Sequence, residues 1–396
     1  MLIKSFHRFI VVLAVALTGC SGFEEATVPG ASSSVSLPEV ARMFSALPLE
    51  SEHLGEVYDA VCSSSGNGYD EEYMMKDLFT APGSGVGDDG TPTKAASYSK
   101  PLRSLVEDYL RSNTATRADG SVVDADDYIA ALTDSDVQLY WPYSQSWDGH
   151  SYPIITFDPG TDAVANEGYE ITLLPDGTRS VNKVIIDEQT ARTRPVWVVN
   201  RNDDSAFTSL EMLRRGSDGW GEGGIIVLKT TPATRSGENE YRTLVLRDFM
   251  VKRNFDTWFG GASEFFVKCG VLENFTASTE AELRLYEPRI TDFMIVVKRS
   301  QTGAPIPFNA VLVSDWTEQL EEFALMIIED DGGTTTSWKC ETVVKVNSKS
   351  YGITLDLPFR TRDDIVWRGM LSSNFLERFS GVAGHYGDVD LTFDFI

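Results

Sequence analysis

From Val137 to the C-terminus the apolar residues arrive in short runs, each closed by Gly, Asp, Asn or Pro. The first are VQLYW (137–141), PIITF (153–157), YEITLL (169–174), VNKVII (181–186), PVWVVN (195–200) and GIIVLK (224–229). They are rich in β-branched and aromatic residues and too short for packed helices, so they predict strands. Leu174-Pro175-Asp176-Gly177-Thr178 has the composition of a tight turn between two of them. Residues 137–232 therefore predict an antiparallel β-rich middle domain, interrupted by a charged excursion at 201–222 with a short helix near Ser209 to Arg214. The polar run TTPATRSGENE (230–240) marks a domain boundary. Beyond it come YRTLVLRDFMV (241–251), SEFFVKCG (263–270), ELRLY (282–286), DFMIVVKR (292–299), ALMIIED (324–330), ETVVKVN (341–347) and DLTFDFI (390–396). That many strands at this spacing predict a C-terminal β-sandwich over 240–396. In its last run Leu391, Phe393 and Phe395 share one face.

Residues 37–136 read differently. Val40, Phe44 and Leu47 recur at near-helical spacing, with Ser36 as cap and Pro38 in the first turn. After Pro48, Ser51 can cap a second helix with Leu54, Val57, Tyr58 and Val61 as its apolar stripe. A short helix over 71–79, one over 101–110 and one over 125–132 follow. The set predicts a helical region that packs against a sheet. The fold class is α+β and mainly β.

The chain opens with Lys4 and Arg8, then the apolar run Phe9–Leu17, then Leu17-Thr18-Gly19-Cys20. Charge, length and order are those of a secretory leader, and the run is about half of the ~20 residues needed to span a bilayer. The closing tetrapeptide resembles the lipobox of bacterial lipoproteins. That resemblance implies cleavage before Cys20 and lipid, including palmitate, on Cys20. A leader at 1–19 and a small, polar tether at 20–36 follow from it. Glu24 and Glu25 resemble the surface-export signals of lipoproteins from the Bacteroidetes. An outer-membrane anchor is implied, with the body at the cell surface or on the periplasmic face. A net charge of -25 excludes nucleic acid as a partner drawn by the overall field.

Familiar catalytic patterns are thin. His7 leaves with the leader, and His53, His150 and His385 are far apart, with no HExxH. Ser97-Tyr98-Ser99-Lys100 matches SxxK without its companion motifs, and Gly83-Ser84-Gly85 lacks the nucleophile-elbow pattern. The glycines at 83, 85, 87 and 90 lack the Lys-Ser or Lys-Thr of a phosphate loop. The 59 acids single out no glycosidase pair. Cys62, Cys269 and Cys340 read as three buried free thiols, with a Cys269–Cys340 bridge as the alternative.

Two features carry chemistry. Residues 244–269, LVLRDFMVKRNFDTWFGGASEFFVKC, resemble the opening of a C2 domain, with Asp256, Gly261, Ser263 and Glu264 on its pattern. FALMIIEDDGG (323–333) resembles a later C2 strand entering an acidic loop. The resemblance implies a calcium-binding sandwich end with Asp256, Glu264, Asp330 and Asp331 as ligands. Calcium takes six to eight oxygens, so carbonyls and water would complete the set. The second feature is Tyr140-Trp141-Pro142-Tyr143 with Trp147, an aromatic platform for glycan. Together these predict a lipid-anchored, non-catalytic binding or structural module whose partners are the membrane, through its lipid, and a glycan or envelope protein. The alternative is a hydrolase acting on glycan or peptide, with a site assembled only in space. The mature chain should begin at a lipid-bearing Cys20. Intact mass of membrane-extracted protein checks this, and an unmodified N-terminus would refute it.

Overall fold

The computed structural model describes residues 35–80, 98–113, 115–116, 122–202, 207–216 and 241–396. The leader, Cys20 with its tether as far as Ser34, the glycine loop, GIIVLK and the break at 230–240 lie outside the described residues. The architecture is α+β and mainly β, with the helices first.

Helix α1 (Leu37–Ala46) carries Pro38 in its first turn and buries Val40 and Phe44; Ser36 precedes it without a side-chain capping bond. Helix α2 (Ser51–Gly66) buries Leu54, Val57 and Val61. Its cap is Glu50 rather than Ser51, and the Glu50 N–H donates to Nδ1 of His53 at 3.0 Å. The segment expected as one helix over 71–79 divides into strand β1 (Glu72–Met74) and helix α3 (Met75–Phe79). Glu72, Tyr73 and Met74 pair with a neighbouring strand, and that tertiary pairing overrides local helix preference. Helix α4 (Leu102–Ser112), the small hairpin β2 (Ala115–Thr116) and β3 (Val122–Val123), and helix α5 (Ala125–Thr133) complete the region. Asp124 caps α5 by accepting from the Asp126 N–H at 2.9 Å.

Strands β4 (Val137–Tyr140), β5 (Ile154–Phe157), β6 (Ala165–Leu173), β7 (Arg179–Asp187) and β8 (Val196–Arg201) form the first sheet, with the short helix α6 (Glu188–Ala191) after β7. The order is β1-β4-β8-β5-β6-β7. All pairs are antiparallel except β5 with β8, which run parallel. The turn after β6 forms as read, with Gly177 at φ +82° and Asp176 accepting from the Thr178 N–H at 2.8 Å. Along β8 the side chains alternate. Trp197 and Val199 join Leu139, Trp141 and Ile155 in the core shared with the helices. Val196 and Val198 join Tyr140, Ile154 and Ile186 in a separate cluster.

Helix α7 (Leu210–Gly216) leads towards the sandwich. One of its sheets has the order β12-β9-β18-β17 and the other contains β11, β10, β13 and β16. Their spans are β9 (Arg242–Val251), β10 (Ser263–Val271), β11 (Arg289–Val297), β12 (Ile306–Trp316), β13 (Leu320–Glu329), β16 (Asp364–Ser372), β17 (Ala383–Tyr386) and β18 (Val389–Phe395). Phe249, Phe265, Phe293, Trp316 and Phe323 fill the space between the sheets. Helix α9 (Ser373–Arg378) follows β16. The run ELRLY, expected as a strand, instead contributes to helix α8 (Glu280–Leu283), and Leu285 stands 81% exposed. The reason is a helix start that outweighs the β-prone residues: Thr279 caps the Glu282 N–H, and Glu282 accepts from the Ser278 N–H at 2.7 Å.

Strands β14 (Thr335–Val346) and β15 (Lys349–Arg360) make a long hairpin that meets β13 only at Leu320 and Glu322. The hairpin covers the outer face of the sheet, where Leu355 and Leu357 cluster with Phe266, Met326 and Ile328. Cys340 lies in that outer cluster and Cys269 in the inner core, so the sheet stands between two free thiols. Cys62 is free and exposed.

Gly270 marks the closest approach of hairpin and sheet, since an added Cβ would collide with Leu355 and crowd Leu357. Gly270→Val should therefore cost about 1–3 kcal/mol, read as a lower melting temperature; an unchanged melt would show that the hairpin does not rest there. His53 supplies a pH dependence. Burial lowers its pKa, against the smaller opposing pull of Glu50 and Glu52. The unfolded chain then binds the extra proton first, so the His53 contribution is present at neutral pH and lost as pH falls below the ordinary histidine value. Melting followed from pH 7 to pH 5 should fall more steeply for the wild type than for His53→Gln. Parallel slopes would remove His53 as the cause.

Candidate metal centre

The loop between β9 and β10 carries Asp256 and is held from several sides. Ser263 Oγ accepts from the Phe255 N–H at 3.0 Å. Arg299, just after β11, directs Nη1 to the carbonyls of Asp256, Thr257 and Gly261 at 3.3, 3.1 and 3.2 Å. Asp70 Oδ2 accepts from the Ala262 N–H at 2.8 Å. Gly261 sits at φ +145°, and a Cβ there would press on Asp70. Three residues further, Glu264 is the second residue of β10, opposite Val296 of β11 and one residue before the pairing with β13 begins. The register sets Phe265 opposite Glu329, and the Asp330 N–H donates to the Glu264 carbonyl at 3.0 Å.

These constraints converge on three carboxylates. Asp256, Glu264 and Glu329 each place an oxygen so that the three atoms lie within 4.8 Å of one another. Glu264 is 7% exposed and Glu329 only 1%. Glu329 hydrogen-bonds Asp256, yet its Oε1 is buried with no hydrogen-bond partner. Burial, the Asp256 contact and the nearby charges of Asp256, Asp331 and Asp364 push the Glu329 carboxyl far above the usual range. Asp331 is raised to about 6 by burial and by Asp256, Asp364 and Asp363. Several acids thus share a small volume at one end of the sandwich, where each raises the cost of ionising the next.

Of the four acids read from the sequence, the fold brings Asp256 and Glu264 together and adds Glu329. Asp330 is diverted. It is buried and accepts from Arg360 Nη1 at 3.3 and 3.0 Å through its two oxygens. Asp331 is exposed at the rim, its N–H donating to Asp363 at 3.3 Å. Glu329 had a legible signal. In FALMIIED the residues Phe323, Leu325, Ile327 and Glu329 share a face, so the row that points into the core ends on an acid.

The expected glycan platform is interior. Tyr140 is 0%, Trp141 1% and Tyr143 8% exposed. Trp147 is half-buried against Tyr58 and Trp141, each 5.2 Å away between ring centres. Faces used up in ring-to-ring packing cannot stack on a sugar, so this assignment is withdrawn. His150 and His385 are exposed, and His385 meets Asp390 at 2.6 Å, remote in sequence from the carboxylate triad.

A triad of hard oxygen donors suits calcium or magnesium rather than a soft ion. No known protein family, curated protein or solved structure matches this chain.

Proposed function

We propose that this protein is a non-catalytic envelope module, tethered by lipid on Cys20, whose C-terminal sandwich binds a divalent cation, with calcium favoured. The observation that carries the cation reading is that Glu329, whose Oε1 is buried without a hydrogen-bond partner among the described residues, is one of three carboxylates with oxygens within 4.8 Å of one another. A neutral hydrogen-bond donor would satisfy that oxygen at low cost, and none reaches it among the described residues. A cation would satisfy it and take the place of the proton that ties Glu329 to Asp256. The three side chains leave positions for carbonyls and water in a calcium shell. The anchoring half rests on the leader and lipobox. Among the described residues no helix is long and apolar enough to cross a membrane.

The affinity expected of a partial ligand set is roughly 10⁻⁴ to 10⁻³ M. Calcium at 1 mM should then stabilise the folded chain by about 0.4–1.4 kcal/mol. Melting the mature protein in EDTA, in calcium and in magnesium at equal ionic strength reads this as a rise of a few degrees. Glu329→Gln should abolish the calcium increment while leaving the melt in EDTA nearly unchanged, since the amide is neutral like the protonated carboxyl and can still donate to Asp256. An increment that survives the substitution, or no increment in the wild type, would refute the site.

A further inference from the structure

The loop that presents Asp256 has a second attachment. Trp258 and Phe259, two and three residues further on, leave the sandwich and enter the far face of the first sheet. They are 4% and 0% exposed and lie with Tyr140, Ile154, Val196 and Val198. Asn200 at the end of β8 donates Nδ2 to the Phe259 carbonyl at 3.1 Å and also to the Gly260 carbonyl. Trp258 Nε1 donates to the Val164 carbonyl at 3.1 Å. One face of the first sheet is thus covered by helices and the other by a loop that belongs to the sandwich.

We propose that a divalent cation at Asp256, Glu264 and Glu329 is a latch that locks the helix-backed sheet to the sandwich through this shared loop. The proposal rests on the cation reading above. Glu264 and Glu329 are fixed in β10 and β13, whereas Asp256 rides on the loop. Without a cation, a hydrogen bond through the proton on Glu329 ties Asp256 to the strands. With a cation the same three groups draw the loop inward. Asp256 and Trp258 are two residues apart, so the pull on one is transmitted to the other through a single short stretch of backbone. The coupling is reciprocal: whatever steadies the loop in the first sheet must also tighten cation binding.

Two measurements on the whole mature protein test this. In hydrogen exchange, calcium should slow the amides of 254–262 together with those of 196–200 on β8, which touch no ligand. Calorimetric titration of Asn200→Ala, which loosens the loop without touching a carboxylate, should show calcium affinity weaker by roughly fivefold or more. Trp258→Phe, which loses the bond to Val164 and part of the buried ring but keeps an aromatic side chain, should shift it in the same direction and guards against a misfolded Asn200 variant. Calcium that binds in the calorimeter but protects only the carboxylate-bearing segments, with affinity unchanged in the variants, would overturn the latch and leave the cation site standing. Absence of calcium binding by the wild type would overturn the site and the latch together.

Discussion

The guanidinium of Arg299 is the interaction on which the rest of the arrangement depends. It is buried, and a buried charge is tolerable only when its donors are met. Nη1 serves three carbonyls of the β9–β10 loop, and Nε reaches Glu188 at 3.1 Å in the helix that follows β7. Tyr143 donates to the same Glu188 oxygen at 2.6 Å. One side chain thus sets the loop's curvature from inside and joins it to the first sheet from outside. Residues 35–396 accordingly form one compact unit despite the polar break at 230–240.

The loop in turn explains a pairing that looks odd in isolation. Strand β8 is apolar at Val196, Trp197, Val198 and Val199, so both of its faces need cover. The helices cover one. The other is closed by Trp258 and Phe259, aromatic residues that each contribute on the order of 3–5 kcal/mol when such a ring is buried and then lost. Asn200, polar and 0% exposed at the end of the same row, is acceptable there because its amide donates to loop carbonyls that no strand partner uses.

Periodicity made the strands legible because a strand with one or two buried faces must write that burial into its sequence. The runs at 195–200, 263–270 and 390–396 became β8, β10 and β18 nearly end for end. Strands β12 and β16 have irregular burial and leave no periodic signal, whereas β15 alternates at Tyr351, Ile353, Leu355 and Leu357, so its run YGITLDL carried a legible signal that the sequence reading passed over. Strand β12 shifts register against β9 at several points, and β15 lies over a sheet rather than inside one. The carboxylate site was half legible. Asp256 and Glu264 stood out as acids beside a turn, but adjacency in sequence favoured Asp330 and Asp331 over Glu329. Strand register decided otherwise: one residue's change of face turned Asp330 towards Arg360 and Glu329 towards the triad. The aromatic cluster misled because a dense run of rings has the same composition whether it faces water or other rings.

Other buried acids show why the triad stands apart. Glu56 is 2% exposed and accepts from the Leu102 N–H at 2.6 Å and from Tyr73 Oη at 3.3 Å. Glu71, 4% exposed, takes the N–H groups of Tyr143 and Ser144 and the Ser144 hydroxyl at 3.3, 3.1 and 2.6 Å. Asp70 accepts from Glu71 and Ala262 backbone N–H groups at 2.7 and 2.8 Å. In each case the fold meets a carboxylate with donors, which is how a structural acid is made tolerable. Glu329 is at least as deeply buried as any of them, and what it meets is two further carboxylates. The donors that make Glu56, Glu71 and Asp70 tolerable are N–H and O–H groups brought by neighbouring elements; among the described residues none reaches Glu329 Oε1, and that difference is what the cation proposal is built on.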